Sequence, residues 1–275
     1  MRLSLCNEVL APMPFARQCE FAAALGYEGL EVAPFTLGED PLALTAAERA
    51  RLRSEAQAAG VVVSGLHWLL ASPAGLSITS ADPDTRGRTL AVMHGLIDLC
   101  ADLGGQVMVH GSPAQRRMPA SGDIAAAREL GIAAFADVAE HAQRAGITYC
   151  IEALAPPHAD FINTLDEAVA IVRAIGHPAV RTMLDCCAVA RAEREPAETL
   201  LERWLPTGLL AHVQVNDANL RGPGQGALRF RPLLAALRRH GYAGWVAVEP
   251  FEYVPDGPAC AARAIGYLRG AMEEL

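Results

Sequence analysis

Glu152, Asp185, Gln214 and Glu249 each stand at the end of a short apolar run, and they follow one another at intervals of 33, 29 and 35 residues. That interval is about what one strand, loop, helix and loop occupy in a β/α barrel of ~250 residues. If the four runs are parallel strands lying side by side, the four side chains converge at one mouth. Several carboxylates in one apolar cup repel each other and are costly to desolvate, and a cation relieves both. Hard oxygen donors without histidine or thiolate suit one divalent metal ion, Mn²⁺ or Mg²⁺, and tolerate Co²⁺ or Zn²⁺. These four residues are therefore the expected metal ligands.

Other polar residues also fall at strand ends: Glu31, His67 with Trp68, His110 and Asp217. His67 and His110 either hydrogen-bond a substrate hydroxyl or are rim histidines held by backbone. Trp68 either walls a sugar face or is packing. His212 lies on the same strand face as Gln214, one layer deeper, where it would support the ligands rather than bind the ion. Arg221, in the run Arg-Gly-Pro-Gly-Gln-Gly, either clasps a carboxylate or phosphate of the substrate or belongs to a turn that only bends the chain. Cys186 and Cys187, read as the continuation of the strand ending at Asp185, would point to opposite faces, so at most one could join its neighbourhood.

The elements that must position these groups alternate along the chain. Runs of strand type lie at 2–6, 28–32, 61–67, 106–110, 147–152, 180–185, 210–215 and 244–249. Helical periodicity fills 14–25, 45–58, 86–103, 123–145, 164–174, 196–203, 230–240 and 258–273. Thr45 with Glu48 forms a capping box, Asp123 can cap the fourth helix, and Gly60, Gly104 and Gly146 follow last turns. Eight strands alternating with helices, with no linker or break in composition, predict one α/β domain over residues 1–275, a (β/α)8 TIM barrel. A doubly wound open sheet would need a glycine-rich dinucleotide turn after the first strand, which is absent.

Composition removes several function classes. All 23 basic residues are arginine, so no lysine is present for Schiff-base chemistry. A net charge of −8 argues against a nucleic-acid partner, and the densest basic pairs, Arg116 with Arg117 and Arg238 with Arg239, read as solvated faces. No apolar run approaches the ~20 residues of a membrane span, and the amino-terminal stretch is too short for a signal peptide. Seven scattered cysteines without a CxxC pair read as reduced, buried thiols in a cytoplasmic protein.

The segments "GYEGLEV", "IEALAPPHADFINTLDEA", "TMLD", "HVQVNDANLRGPGQG" and "VAVEPF" resemble the xylose-isomerase-like TIM barrel superfamily along nearly the whole chain. This group includes ketose 3-epimerases, hydroxypyruvate isomerases, inosose-processing enzymes and 3-dehydroshikimate dehydratases. The resemblance implies that Glu152, Asp185, Gln214 and Glu249 bind the metal and that Glu152 and Glu249 are also the catalytic acid/base pair. It places His158 where the epimerases carry a substrate-binding glutamate, and Arg221 near their substrate arginine, one residue out of step. Gln214 replaces the histidine that the epimerases use, as in hydroxypyruvate isomerases and dehydratases of the group, and Ala188 stands where many members have a histidine.

The expected activity is a divalent-metal-dependent isomerase or epimerase of a small hydroxy-ketone or sugar, with proton transfer through a metal-stabilised enediolate. The alternative is a metal-dependent dehydratase, a lyase acting on an inosose or a 3-dehydroshikimate-like ring. Two further readings are a non-catalytic sugar-binding protein and a nuclease, the latter disfavoured by the acidic balance. Assembly as a homo-oligomer is an expectation of the family alone.

Overall fold

The computed structural model describes residues 1–120 and 122–275. All eight expected strands form: β1 (Arg2–Cys6), β2 (Gly29–Val32), β3 (Val62–Leu66), β4 (Val107–His110), β5 (Thr148–Ile151), β6 (Val180–Asp185), β7 (Leu210–Val215) and β8 (Trp245–Val248). Each pairs in parallel with its neighbours in chain order, and β1 pairs with β8, so the sheet closes into a barrel. Strand ends agree with the sequence boundaries to within one residue, because a barrel strand is covered on both faces and reads as a continuous apolar run.

The helices are α1 (Phe15–Leu25), α2 (Ala46–Ala59), α3 (Pro83–Leu103), α4 (Ile124–Asp137), α5 (Ala139–Ala145), α6 (Leu165–Ile175), α7 (Cys186–Ala192), α8 (Ala197–Trp204), α9 (Phe230–Arg239) and α10 (Gly257–Glu273). The single helix expected over 123–145 is interrupted at Val138, which ends α4 and precedes α5. The short helix α7 was not expected, and it places Cys186 and Cys187 in a first helical turn rather than on a strand.

Local signals set the helix ends. The Thr45 hydroxyl accepts from the Glu48 N–H while the Glu48 carboxylate accepts from the Thr45 N–H, closing the capping box at α2. The Asp123 carboxylate accepts from the Ala126 N–H at 2.9 Å. Gly60, Gly104 and Gly146 end α2, α3 and α5 in the left-handed conformation. Packing follows the 3.6-residue period: α9 buries Phe230, Leu233, Leu234 and Leu237 on one face, each contributing roughly 1.5–3 kcal/mol of apolar transfer.

No helix among the described residues is long and apolar enough to cross a membrane. All seven cysteines are buried and unpaired, as their lack of spacing pattern predicts.

Candidate active site

A cavity of about 220 Å³ opens at the carboxyl ends of the strands. His67 follows β3, Gly111 follows β4, Glu152 follows β5, Asp185 ends β6 and Glu249 follows β8, and all five line it. Parallel strands carry the residue after each one to the same mouth, so groups nearly two hundred positions apart meet there. The three carboxylates are almost wholly buried, at 5–6% exposure.

Burial and mutual repulsion dominate their electrostatics. Glu152 is raised well above the ordinary carboxylate range, first by burial and then by the charges of Glu249 and Asp185. Glu249 is pushed up to about 8 by burial, with the His67 hydrogen bond and charge opposing and the charges of Asp185 and Glu8 adding. Burial likewise raises Asp185 to about 6, against the hydrogen bonds from Ala188 and Asn216.

Each carboxylate is aimed by a different device. Asp185 caps α7: its Oδ1 accepts from the Ala188 N–H at 2.6 Å, and its Oδ2 accepts from the Asn216 amide at 2.7 Å. Asn216 also donates to the Glu249 carbonyl at 3.1 Å and accepts from the Cys187 N–H at 2.7 Å, tying the ends of β6, β7 and β8 together. Glu249 Oε1 lies 2.9 Å from His67 Nδ1, and His67 Nε2 lies 3.0 Å from Glu8 Oε2. Burial opposes charge on that ring, but Cys6, Glu8 and the Glu249 hydrogen bond outweigh it and raise His67 well above its ordinary value. Glu249 Oε2 is buried without a partner.

Glu152 is held by its backbone. The fully buried Arg116 guanidinium donates to the Glu152 carbonyl at 2.6 Å and to the His110 carbonyl at 2.7 Å, joining the ends of β4 and β5. Arg116 is therefore no solvated surface charge, whereas Arg117, Arg238 and Arg239 are exposed as expected. Gly111 lies against the Glu152 carboxylate so closely that a Cβ there would stand 1.7 Å from Oε2, and only glycine admits this approach.

Gln214 pairs in register with Asp185. Its side-chain nitrogen donates to Glu31 Oε1 at 2.7 Å, and His212 Nε2 lies 2.7 Å from Glu31 Oε2. Burial alone would raise Glu31, yet the His212 charge and hydrogen bond, with the His67 charge and the Gln214 hydrogen bond, leave it below its ordinary value. A carboxylate only accepts, so it fixes the Gln214 amide with nitrogen toward Glu31 and leaves Oε1 buried without a partner. Glu31 thus links His212 to Gln214. Gln214 is fully buried and does not itself line the cavity.

Trp68 and His158 line the cavity, with Trp68 in a left-handed backbone conformation (φ 52°) and its ring edge-to-face with Phe251. His110 and Arg221 do not line it. Strand alternation turns His110 toward the helix layer, where its ring stands edge-on to Phe135 of α4 and its Nδ1 meets the Tyr149 hydroxyl at 2.7 Å. Arg221 lies 3.5 Å from Glu252 at the surface.

Glu8, Gly111, Arg116, Arg191 and Asn216 enter the site or its support without having been singled out for it from the sequence. Asn216 alone carried a local signal, two residues past Gln214 on the same strand face.

The donor set fits a hard cation: all three carboxylates are desolvated, the Asp185 charge raises both Glu152 and Glu249, and two buried oxygens, Glu249 Oε2 and Gln214 Oε1, have no hydrogen-bond donor. A second cluster, Cys6, Glu8, His67 and Glu249, brings its donor atoms within 4.8 Å of one another. Its histidine has a carboxylate at each nitrogen, so both ring nitrogens are already engaged. Among the described residues, Glu152, Asp185 and Glu249 do not all bring their donor atoms that close together.

The family model described as xylose isomerase-like TIM barrel matches residues 19–271. D-psicose 3-epimerase of Agrobacterium fabrum is 28% identical over 244 residues, 86% of this chain and 79% of that protein. L-ribulose 3-epimerase of Mesorhizobium japonicum is 25% identical over 175 residues, 64% of this chain and 58% of that protein. The fold is shared with a crystal structure of D-psicose 3-epimerase in the presence of D-fructose (TM-score 0.83, 22% identity, 99% of both chains). It is shared equally with 3-keto-D-glucoside 4-epimerase from E. coli (TM-score 0.84, 19% identity, 98% of this chain and 99% of that one). With the matched model spanning all but the first 18 and the last four residues, the chain belongs to the xylose isomerase-like TIM barrel family.

Proposed function

We propose that the chain is a divalent-metal-dependent isomerase or epimerase of a small hydroxy-ketone or sugar, with Glu152 and Glu249 exchanging the proton. The observation that carries this reading is the convergence of three buried carboxylates, one with an orphaned oxygen, in a single cavity at the carboxyl end of a β/α barrel. The names of the relatives described above, all epimerases, support the same reaction class. Water loss, the alternative outcome of the same chemistry, gains no support from them.

Glu152, Asp185, Gln214 and Glu249 would hold the metal. When bound, a divalent cation polarises a carbonyl and acidifies the adjacent C–H. The chain's own residues then move the proton. Glu249 is oriented by His67, and Glu152 is fixed at its backbone by Arg116, so the two carboxylates enter the cavity from β8 and β5 with their approach set in advance. Burial makes each a stronger base than an exposed carboxylate, which moves it toward working pH. Removal by one and return by the other on the opposite face inverts a centre, and return to the neighbouring carbon moves the carbonyl. Trp68 and Phe251 give the cavity an apolar wall beside the carboxylates.

The test is incubation of Mn²⁺-loaded protein with short and long ketoses in deuterated water. Deuterium retained next to the carbonyl, lost in Glu152→Gln and Glu249→Gln and after chelation, is the expected result. Turnover with loss of water, or full activity in either variant, would refute the reading.

A further inference from the structure

Beyond its carboxylate end, the cavity wall is poorly suited to a polyol. Pro113, Leu154, Ala155, Leu220 and Phe251 present no side-chain hydrogen-bonding groups to successive hydroxyls. At about 220 Å³ the space is also below the ~300–1,000 Å³ of ordinary ligand pockets. Two polar residues interrupt this wall at its outer rim, His158 and Arg191. Arg191 Nη1 lies 3.0 Å from His158 Nε2. A guanidinium has donors only, so His158 Nε2 accepts and the ring proton sits on Nδ1.

Arg191 makes no ion pair within 4.0 Å among the described residues, so its other donors are not committed to a carboxylate. The arginine that sequence pattern singled out, Arg221, is beside Glu252 and lines no part of the cavity. Arg191 sits on α7, the helix that Asp185 caps, so the group that positions the inner carboxylate also sets where this guanidinium stands. A planar fork of donors at the exposed rim of a cavity whose outer wall is largely apolar is matched by an oxyanion, which accepts two parallel hydrogen bonds.

We propose that Arg191, buttressed by His158, recognises an anionic end group, and that the substrate is a short hydroxy-carbonyl compound ending in a carboxylate or phosphate rather than a neutral ketose. The proposal rests on the isomerase reading above and narrows its substrate class. Arg191 is a specificity-determining residue that touches the end of the substrate away from the reacting carbons.

The experiment compares three three-carbon probes on Mn²⁺-loaded protein by solvent-deuterium incorporation: dihydroxyacetone, hydroxypyruvate and dihydroxyacetone phosphate. At least one anion is expected to exceed the neutral triose about tenfold or more in kcat/KM, and which one does so separates carboxylate from phosphate. Arg191→Gln should lower that preference by about tenfold to a hundredfold, mainly through KM, as loss of a charge-assisted hydrogen bond does. Arg191→Lys should restore part of it by keeping the charge.

Calorimetric titration of wild type and both variants with glycerate and with glycerol reads the same contact without turnover. Glycerate should bind the wild type more tightly, and the difference should vanish in Arg191→Gln. A preference for the neutral triose, or an anion preference untouched in Arg191→Gln, overturns the proposal and leaves the isomerase reading standing. Absence of exchange with all three probes and with longer ketoses overturns that reading, and the proposal with it.

Discussion

Replacing Glu249 by glutamine should stabilise the cation-free protein at alkaline pH, and a supplied cation should remove most of that advantage. Burial carries this carboxyl from 4.5 to about 8. A group raised in this way binds its proton more tightly in the folded chain, so its stabilising effect is complete below about 4.5 and is lost as pH rises through about 8. At roughly 1.4 kcal/mol per pH unit, the buried charge costs the folded state roughly 5 kcal/mol above that range.

Glutamine keeps the shape and an acceptor for His67 Nδ1, and Glu8 remains beside His67 Nε2, so the ring is not left unpaired. The cation narrows the gap, because a ligand at a thousandfold over its Kd contributes about 4 kcal/mol against the roughly 5 kcal/mol cost of the charge, and the variant has lost one donor. Urea unfolding at pH 5.5 and 8.5, in chelator and in excess Mn²⁺, reads all four corners. Without cation the wild type should lose several kcal/mol between the two pH values and fall below Glu249→Gln at pH 8.5, and with Mn²⁺ most of that gap should close. A cation-free wild type equally stable at both pH values, and above the variant at pH 8.5, would show that Glu249 is not held as a strained buried charge.

Two further substitutions probe the support of the site. Gly111→Ala places a Cβ 1.7 Å from Glu152 Oε2 and must displace that carboxylate, so deuterium-exchange kcat should fall by about a hundredfold, as misplacement of a catalytic group by ~1 Å does; titration of the metal-loaded enzyme with substrate would check it. Asn216→Ala strips one hydrogen bond each from Asp185, the Glu249 carbonyl and the Cys187 N–H, and should weaken Mn²⁺ affinity by about 10- to 100-fold at a stability cost of ~1–3 kcal/mol, measured by calorimetry and urea unfolding.

The barrel and its inner residues were legible because two strong periodicities carried them. Buried parallel strands read as apolar runs, and the carboxylate after each run marks the mouth, so Glu152, Asp185 and Glu249 were found together. What escaped is non-local or short. His67 is engaged by partners 59 and 182 positions away, which no window along the chain reveals. Arg116 looked like half of a surface pair, yet it is buried because two strand-end carbonyls need donors where water is excluded. Seven residues of α7 are too few for a periodic pattern, and with α7 unseen Arg191 had no place at the rim. His110 ended a strand as expected, but its outward register set it among aromatic rings instead of at the mouth.

The Glu31 carboxylate reaches from β2 to hold both His212 and Gln214 on β7, fastening strands that are not neighbours around the bore. Such a brace makes its three members interdependent, so exchanging one alone leaves two buried groups mismatched. Retargeting this scaffold to new compounds therefore has its latitude on α7 and the outer wall, at Arg191, Leu154 and Phe251. Any redesign of the floor has to change Glu31, His212 and Gln214 as one block.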